Sequence, residues 1–195
     1  MTRKFLLIVG VVLSLCMNGC LFVTLDEPYS AENIVFIPEL VGEWQYDIEE
    51  KEHAPVLIIE QLGENKYIFH EDSEDPDAME ITLFKIGKLM FIDYYPIEKD
   101  RSFVLNEKQS YPLHYVMGFQ FKDDKIRLST FDGERYRELL DKRKLKVQYF
   151  EDEEGLVLIT DKTPKIQKVL KKYGAVLFPF EESSEEYRRL KKEDK

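Results

Sequence analysis

The chain has 195 residues, of which 38 are acidic and 28 basic, so its formal net charge is −10 at pH 7. This acidic balance argues against a nucleic-acid-binding protein, which would need a basic surface facing the phosphates. Aromatic residues make up 13% of the chain, a share too high for a disordered protein and typical of one folded domain.

The N-terminus has the layout of a signal peptide. Arg3 and Lys4 are basic, and residues 5–17 (FLLIVGVVLSLCM) form an apolar run shorter than the roughly 20 residues that span a bilayer. Gly19 then puts a small residue directly before Cys20. The tetrapeptide MNGC resembles the lipobox of bacterial lipoproteins, which implies that the signal is removed and that Cys20 is lipidated. The alternative is an ordinary secretory signal followed by an incidental Cys.

The only two cysteines are Cys16 and Cys20, so a mature chain beginning at Cys20 has neither an internal disulfide nor a Cys-based metal site. Acyl chains such as palmitate would hold it on the membrane, since two or more chains anchor a protein durably where one does not. Because the rest of the chain is acidic, adhesion to anionic lipid is not expected, and the lipid itself is the expected attachment. The predicted location is the extracytoplasmic cell envelope, at the outer membrane if the host has one.

Four segments follow from this pattern. They are a signal peptide at 1–19, the lipidated Cys with a tether at 20–37, a lipocalin-like β-barrel at 38–160, and a helical segment with a charged tail at 161–195. The tether is predicted because residues 26–30 (DEPYS) have turn chemistry and no sustained periodicity.

Alternation of apolar and polar residues is the main structural signal. In GEWQYDIE the even positions from Gly42 to Ile48 are apolar and the odd ones polar, which is typical of a strand with one buried face. Similar runs predict strands at 42–49, 56–61, 66–71, 80–86, 89–95, 111–121, 125–130, 145–150 and 156–160. This order predicts a mainly β fold, an antiparallel up-and-down barrel or a strongly curved sheet, because closure removes exposed edges. An open sandwich is the structural rival.

Helical patterns are short and lie towards the C-terminus. Asp132 is placed to cap a first helix. Thr163, followed by Pro, predicts the start of a second helix, and Gly174 predicts its end. A third helix, weakly patterned, is predicted at 184–191.

The segment PELVGEW at 38–44 resembles the opening strand of lipocalin-like domains, where Gly-x-Trp marks the first strand. Residues 84–96 (FKIGKLMFIDYYP), 111–121 (YPLHYVMGFQF) and 156–174 (LVLITDKTPKIQKVLKKYG) resemble a group of uncharacterised bacterial lipoproteins. The resemblance covers roughly residues 38–190. It implies a lipocalin-like barrel in an exported, lipidated protein, and it implies no activity.

Aromatic rows in the predicted strands are suited to lining a cavity for a lipid or another apolar ligand. The candidate ligand-binding residues are Trp44, Tyr46, Tyr94, His114, Tyr115, Phe119 and Tyr149. A barrel of this size holds one small ligand or is filled by its own side chains. Large aromatic residues fill space, so a packed core is the stronger expectation.

The sequence contains no recognisable motif for catalysis or cofactor binding. His114 lies in the polar row of its strand, where a hydrogen-bonding role is the simplest interpretation. The three histidines lack metal-binding spacing, and the acidic run 71–77 lacks the Gly and the final Glu of an EF-hand loop. No catalytic residue, metal or cofactor is predicted.

Two non-catalytic functions stay open at this point. The first is an envelope lipoprotein whose barrel binds a small apolar ligand or a protein partner. The second is a structural or assembly lipoprotein whose solid barrel docks an envelope protein complex. An enzyme is a weaker third hypothesis, which a cluster of His114 with carboxylates would favour.

Overall fold

The computed structural model describes most of the chain between Leu21 and Leu190. The described residues are 21–47, 56–71, 78–96, 103–106, 109–111, 113–151, 157–181 and 184–190. The predicted signal peptide, the lipidation site Cys20, most of the acidic run and the charged tail lie outside the described residues.

The described residues form strands, two α-helices and two short 3-10 helices. The strands are β1 (Phe22–Thr24), β2 (Gly42–Tyr46), β3 (Val56–Leu62), β4 (Lys66–Glu71), β5 (Met79–Ile86), β6 (Leu89–Pro96), β7 (Phe103–Asn106), β8 (Gln109–Tyr111), β9 (His114–Lys122), β10 (Lys125–Ser129), β11 (Tyr149–Glu151), β12 (Val157–Ile159) and β13 (Ser184–Arg189). The helices are α1 (Gly133–Asp141) and α2 (Thr163–Leu177), with 3-10 turns at Ala31–Asn33 and Pro38–Leu40.

Eight strands close into a barrel in the order β2-β3-β4-β5-β6-β9-β10-β13, with β13 returning to β2. Every neighbouring pair is antiparallel. The prediction of a mainly β, up-and-down barrel of lipocalin-like type is therefore confirmed. Tight turns support it: Gly87 has φ +64°, and Asp123 and Asp124 both have φ +54°, the left-handed values that two-residue hairpins need. Strands β7 and β8 form a separate hairpin.

The closing strand β13 shows that the prediction of a helix at 184–191 is wrong. Its residues pair with β10 on one side and β2 on the other, and Tyr187 lies opposite both Ile126 and Tyr46. Helix propensity is a weak local preference, and pairing overrides it where a sheet offers two open edges. The segment 161–195 therefore supplies a barrel strand as well as a helix.

Strand β1 lies in the segment that was expected to be a tether. It pairs antiparallel with the start of β9 and parallel with β12, and β11 adds beyond β12. These three strands extend the sheet beside the barrel, so β11 and β12 are not barrel strands. Phe22 and Val23 are buried, at 1% and 0% exposure. The described part of the segment is thus built into the fold from its first residues.

The interior of the barrel is an apolar core to which all eight strands contribute. Its buried members are Leu40, Trp44, Leu57, Ile59, Tyr67, Phe69, Ile81, Leu83, Ile92, Phe119, Ile126 and Leu128. Trp44, Tyr67 and Phe119 are among the largest fully buried side chains. Side chains of this size fill a barrel of eight strands, so its centre is packed.

A second core lies between the outer face of the barrel and the two helices. Its buried members are Phe22, Tyr29, Phe84, Ile86, Phe91, Val116, Phe131, Tyr136, Leu145, Val157, Ile159, Ile166, Val169, Leu170, Leu177 and Phe178. Helix α1 begins as predicted, since the Asp132 side chain accepts a hydrogen bond from the Arg135 backbone N–H at 3.0 Å. Strands β5, β6 and β9 are therefore buried on both faces.

Helix α2 continues through Gly174, the residue predicted to end it, as far as Leu177. A Cβ on Gly174 would lie 2.9 Å from side-chain carbons of both Leu89 and Phe91. The glycine therefore serves the close approach of helix and sheet. The helix begins at Thr163, the residue predicted to start it, and its N-cap is Lys162. Neither described helix has the length and apolar content needed to cross a bilayer.

Candidate functional site

Two of the candidate ligand-binding residues, Trp44 and Phe119, lie in the barrel core. Trp44 is 0% exposed, and its Nε1 donates a hydrogen bond to the Leu40 carbonyl at 2.8 Å. The Arg189 guanidinium lies 4.4 Å from the indole centroid. Phe119 is 1% exposed in the same core. These contacts favour a packing role for both side chains.

Three more candidates, Tyr46, Tyr94 and Tyr115, are half-buried at one end of the barrel. Tyr94 and Tyr115 are cross-strand neighbours with stacked rings 5.2 Å apart. Tyr46 lies against Tyr187, also at 5.2 Å. Two of the connections between strands at this end, residues 48–55 and most of the connection after β4, lie outside the described residues. Ligand binding at this end stays a prediction.

The last two candidates, Tyr149 and His114, lie outside the barrel interior. Tyr149 is on the outermost strand β11, is 43% exposed and packs edge-on against Tyr136. His114 begins β9 and faces the outer side of the barrel wall, where it meets Asp93. The candidate residues therefore do not converge on one site.

His114 is paired with Asp93, a buried carboxylate on the neighbouring strand β6. The His114 Nδ1 and Asp93 Oδ2 atoms are 2.7 Å apart, and the two side chains are 13% and 4% exposed. Within the described part of the chain, the other carboxylate oxygen, Asp93 Oδ1, is buried without a hydrogen-bond partner. A buried carboxylate is costly unless it is paired, so the contact with His114 stabilises Asp93 in this position.

The sheet register brings two buried threonines to this pair. Thr82 of β5 lies opposite Asp93, and Thr24 of β1 lies opposite His114. Tyr29 is 8% exposed, and its pKa responds to the nearby Asp93 charge. We call these residues, Thr24, Tyr29, Thr82, Asp93 and His114, the polar cluster. The cluster spans four adjacent strands and the segment that follows β1.

Helix α2 holds that segment over the polar cluster. The Lys162 ammonium lies 3.0 Å from the Asp26 carboxylate. The Thr163 hydroxyl donates a hydrogen bond to the Glu27 carbonyl at 2.8 Å. Both contacts join the N-terminal end of α2 to the chain just after β1, so the cluster is covered by residues far apart in sequence.

The electrostatic environment favours a charged imidazole. Burial alone disfavours the charge, but the hydrogen bond and the charge of Asp93, with the charges of Glu27 and Asp26, outweigh it and raise the pKa of His114 above its usual 6.5. Burial also raises the pKa of Tyr29, and the charge of Asp93 adds to that effect. The raised pKa values therefore favour an imidazolium at His114 and a neutral phenol at Tyr29.

A His–carboxylate pair is a component of acid–base catalysis, which also needs a substrate or nucleophile within reach. The Thr24 hydroxyl, opposite His114, donates instead to the Asp26 carbonyl at 2.8 Å. No three His, Cys, Asp or Glu side chains of the described residues converge to hold a metal ion. The geometry favours a structural role, in which the cluster ties β1 and the following segment to the barrel wall.

Sequence reasoning found His114 but missed Asp93 and Tyr29. The available signal was one acid inside the apolar run LMFIDYY at 89–95. Phe91 and Ile92 on this strand are both buried, one in each core. A strand that is apolar on both faces has no exposed place for a carboxylate, so the lone acid indicates a buried partner.

Two adjoining grooves of about 320 and 360 Å³ lie along β6 and β9. The first lies beside the C-terminal end of α2, and the second is lined in part by Met90, Phe119 and Phe121 of the barrel core. Leu89, Met90, Gln120 and Phe180 line both of them. The charged lining residues are Arg135 and Glu181 on the first groove and Lys88 and Lys122 on the second. Volumes of this order suit a small amphipathic ligand or a protruding partner side chain.

The chain matches no family model, no curated protein and no solved structure. The resemblance of residues 84–96, 111–121 and 156–174 to bacterial lipoproteins therefore stays a prediction.

Proposed function

We propose that the protein is a membrane-anchored lipoprotein of the bacterial cell envelope with a structural or assembly role. Its barrel is a solid, non-catalytic scaffold that docks an envelope protein through the outer face. The observation that supports this most is the packed barrel interior, in which Trp44, Tyr67 and Phe119 occupy the place of a ligand. A solid barrel offers its outer face for recognition, and the first groove, beside α2, lies on that face.

Lipidation at Cys20 is the part of the proposal that gives the location. Growth of the native host with radiolabelled palmitate should label the wild-type protein and the Cys16→Ala variant, and leave Cys20→Ala unlabelled. Cys16 is the matched control, because it is the other cysteine of the chain. Equal labelling of the two variants, or no labelling of the wild type, would remove the anchor from the proposal.

Docking through the outer face is tested by photo-crosslinking in living cells. A photoreactive amino acid at Gln120, an exposed residue lining both grooves, should give one reproducible protein adduct. The same amino acid at Gln61, exposed on β3 across the barrel, should not give that adduct. Identical patterns from both positions would count against a dedicated docking face.

A second candidate function, binding of a small amphipathic ligand, is favoured by the first groove alone. Apolar residues line it together with the polar side chains of Gln120, Arg135 and Glu181, a combination that suits an apolar chain with a polar head. Ala175 also lines this groove, so Ala175→Trp should displace a ligand seen by native mass spectrometry. Val176→Trp is the matched control, because Val176 is exposed on the same helix and is not a lining residue. Retention of the ligand by both variants would exclude this groove.

A further inference from the structure

Helix α2 is basic, although the chain as a whole is acidic. Its fifteen residues, TPKIQKVLKKYGAVL, include four lysines and no acid, in a chain of net charge −10. The apolar residues Ile166, Val169 and Leu170 are buried against the barrel. All four lysines, Lys165, Lys168, Lys171 and Lys172, are exposed. The helix therefore turns a row of ammonium groups to the solvent.

Basic residues from two other segments lie beside this row. The Tyr173 hydroxyl of α2 donates a hydrogen bond to the Lys144 carbonyl at 2.8 Å, which places the connector 142–146 (KRKLK) next to the helix. On the other side, a Cβ on Gly87 would lie 3.9 Å from the Lys171 Cγ, so Lys88 is also adjacent. We call the whole set the basic face: Lys88, Lys142, Arg143, Lys144, Lys146, Lys165, Lys168, Lys171 and Lys172.

Only part of the charge on the basic face is neutralised within the chain. Lys142 forms an ion pair with Glu138, and Lys165 lies 3.0 Å from the Asp161 carboxylate. The described residues provide no carboxylate partner for Lys168 or Lys171. Lys172 lies over the ring of Tyr173, 4.9 Å from its centroid. An uncompensated basic surface of this kind fits an anionic partner.

The position of the predicted anchor indicates which anionic partner this is. The Phe22 ring lies 5.7 Å from the ring of Phe178, the residue directly after α2. Cys20 comes two residues before Phe22, a reach of about 7 Å in extended chain. The acyl chains would therefore enter the bilayer near the C-terminal end of α2. Leu21 and Val176, 41% and 42% exposed, lie in this region. With no long tether, the body of the protein is held close to the membrane surface.

We propose that the basic face lies on the anionic phospholipid surface of the membrane that holds the Cys20 lipid. This inference rests on the proposed function, since it takes the anchor from there. It also changes the expectation drawn from net charge, because the distribution of charge, and not its sum, decides what one face meets. Clusters of basic residues on an amphipathic helix are a recognised means of binding anionic lipid.

The test uses the mature protein with its native acyl chains, inserted into vesicles. One set contains phosphatidylcholine alone, and the other replaces one quarter of it with phosphatidylglycerol. Lysine acetylation is followed residue by residue by mass spectrometry. Lys168, Lys171 and Lys172 should react at least about fivefold more slowly on the anionic vesicles, the factor expected from one lysine at a charged surface. Lys66, on the turn side of β4, should react equally on both.

Two triple variants of equal charge provide the control. The first variant removes three charges from the basic face: Lys168→Gln, Lys171→Gln and Lys172→Gln. On anionic vesicles it should bring the acetylation of Lys144 back to its rate on neutral vesicles. The second variant removes three charges elsewhere: Lys66→Gln, Lys122→Gln and Lys125→Gln. It should leave the acetylation of Lys144 slow on anionic vesicles. Equal rates at the basic face on both kinds of vesicle would overturn the proposal. Slow acetylation of the basic face in native envelopes, but not on anionic vesicles, would also overturn the proposal. It would indicate that an acidic protein, and not lipid, covers this face.

Failure of the anchor and failure of the basic face are distinguishable in this experiment. The intact mass of the same sample reports the acyl chains on Cys20. If they are absent, the proposed anchor is wrong, and sedimentation of the chain with anionic vesicles still tests the face. Salt-sensitive sedimentation that the α2 triple variant abolishes would support the face, and sedimentation with neither kind of vesicle would overturn it.

Discussion

The pairing of Asp93 with His114 links the stability of the protein to pH. The folded state raises the pKa of His114 above its usual 6.5, so the folded state binds this proton more tightly than the unfolded chain does. The stabilisation is therefore fully present below pH 6.5 and is lost as the pH rises through the raised pKa. The pair contributes to the stability of the fold because the strand register places it where β1, β6 and β9 meet.

Replacing His114 by Gln should show this dependence directly. We expect His114→Gln to lower the free energy of unfolding by about 1–3 kcal/mol in mildly acidic solution, because it leaves the buried Asp93 without its cationic partner. The deficit should shrink as the pH rises. Urea denaturation over a pH series measures it. His70→Gln is the control, since that imidazole lies 3.5 Å from the exposed Glu60 on another part of the barrel. A deficit that does not change with pH would show that the ion pair is not formed.

Gly174 is a second residue whose role is set by tertiary contact. Within a helix, Gly→Ala normally stabilises by up to about 1 kcal/mol. Here the added methyl group would lie 2.9 Å from Leu89 and Phe91, both in the wall under α2. We therefore expect Gly174→Ala to destabilise the protein by about 1–3 kcal/mol in a denaturant titration. The control is Ala175→Gly at the neighbouring exposed position, which measures the difference in helix propensity between Ala and Gly without the close contact to the sheet. A stabilising Gly174→Ala would mean that helix and sheet are less closely packed.

At the scale of elements, closure of the barrel depends on its last strand. Without β13, the edges of β2 and β10 would be unpaired and the interior would open on one side. Arg189 of β13 also covers the ring of Trp44, the only tryptophan of the chain. Trp44 therefore reports on the presence of β13.

A chain ending after Glu181 should lose the native environment of Trp44. We expect its fluorescence emission to shift to the red and its cooperative unfolding transition to broaden or disappear, because the indole becomes exposed to water. A chain ending after Leu190 keeps β13 and should behave as the full protein does. An unshifted emission spectrum in the shorter chain would mean that the remaining strands close without β13.

For the whole molecule, the local pattern in the sequence was enough to predict the barrel but not its edges. Alternation identified β2 to β6, β9 and β10, since each buries at least one face. The strand at 184–189 has no such signal, because its conformation is imposed by pairing with β2 and β10. The three residues of β1 are likewise too short to reveal a strand before their partners are known.

Contacts between distant segments explain why the polar cluster was also beyond sequence reasoning. His114 and Asp93 are 21 residues apart, and Asp26 and Lys162 are 136 apart. The basic face could not be predicted from composition either, because the net charge of a chain does not say which residues share one side of the fold. The predicted ligand-binding set failed to converge for a related reason: aromatic residues are equally suited to a cavity lining and to a core.

Truncation of one core aromatic side chain distinguishes a solid barrel from a hollow one. If Phe119 is packed on all sides, Phe119→Ala leaves a cavity and should lower the free energy of unfolding by about 3–5 kcal/mol. Phe150→Ala makes the same chemical change at a side chain that is 51% exposed, and it should cost no more than about 0.5 kcal/mol. Urea denaturation of both variants gives the comparison. In a hollow barrel Phe119 would already border empty or ligand-filled space, its loss would cost little in the ligand-free protein, and the two variants would unfold alike. That result would return the ligand site to the barrel interior and remove the main support for a solid scaffold.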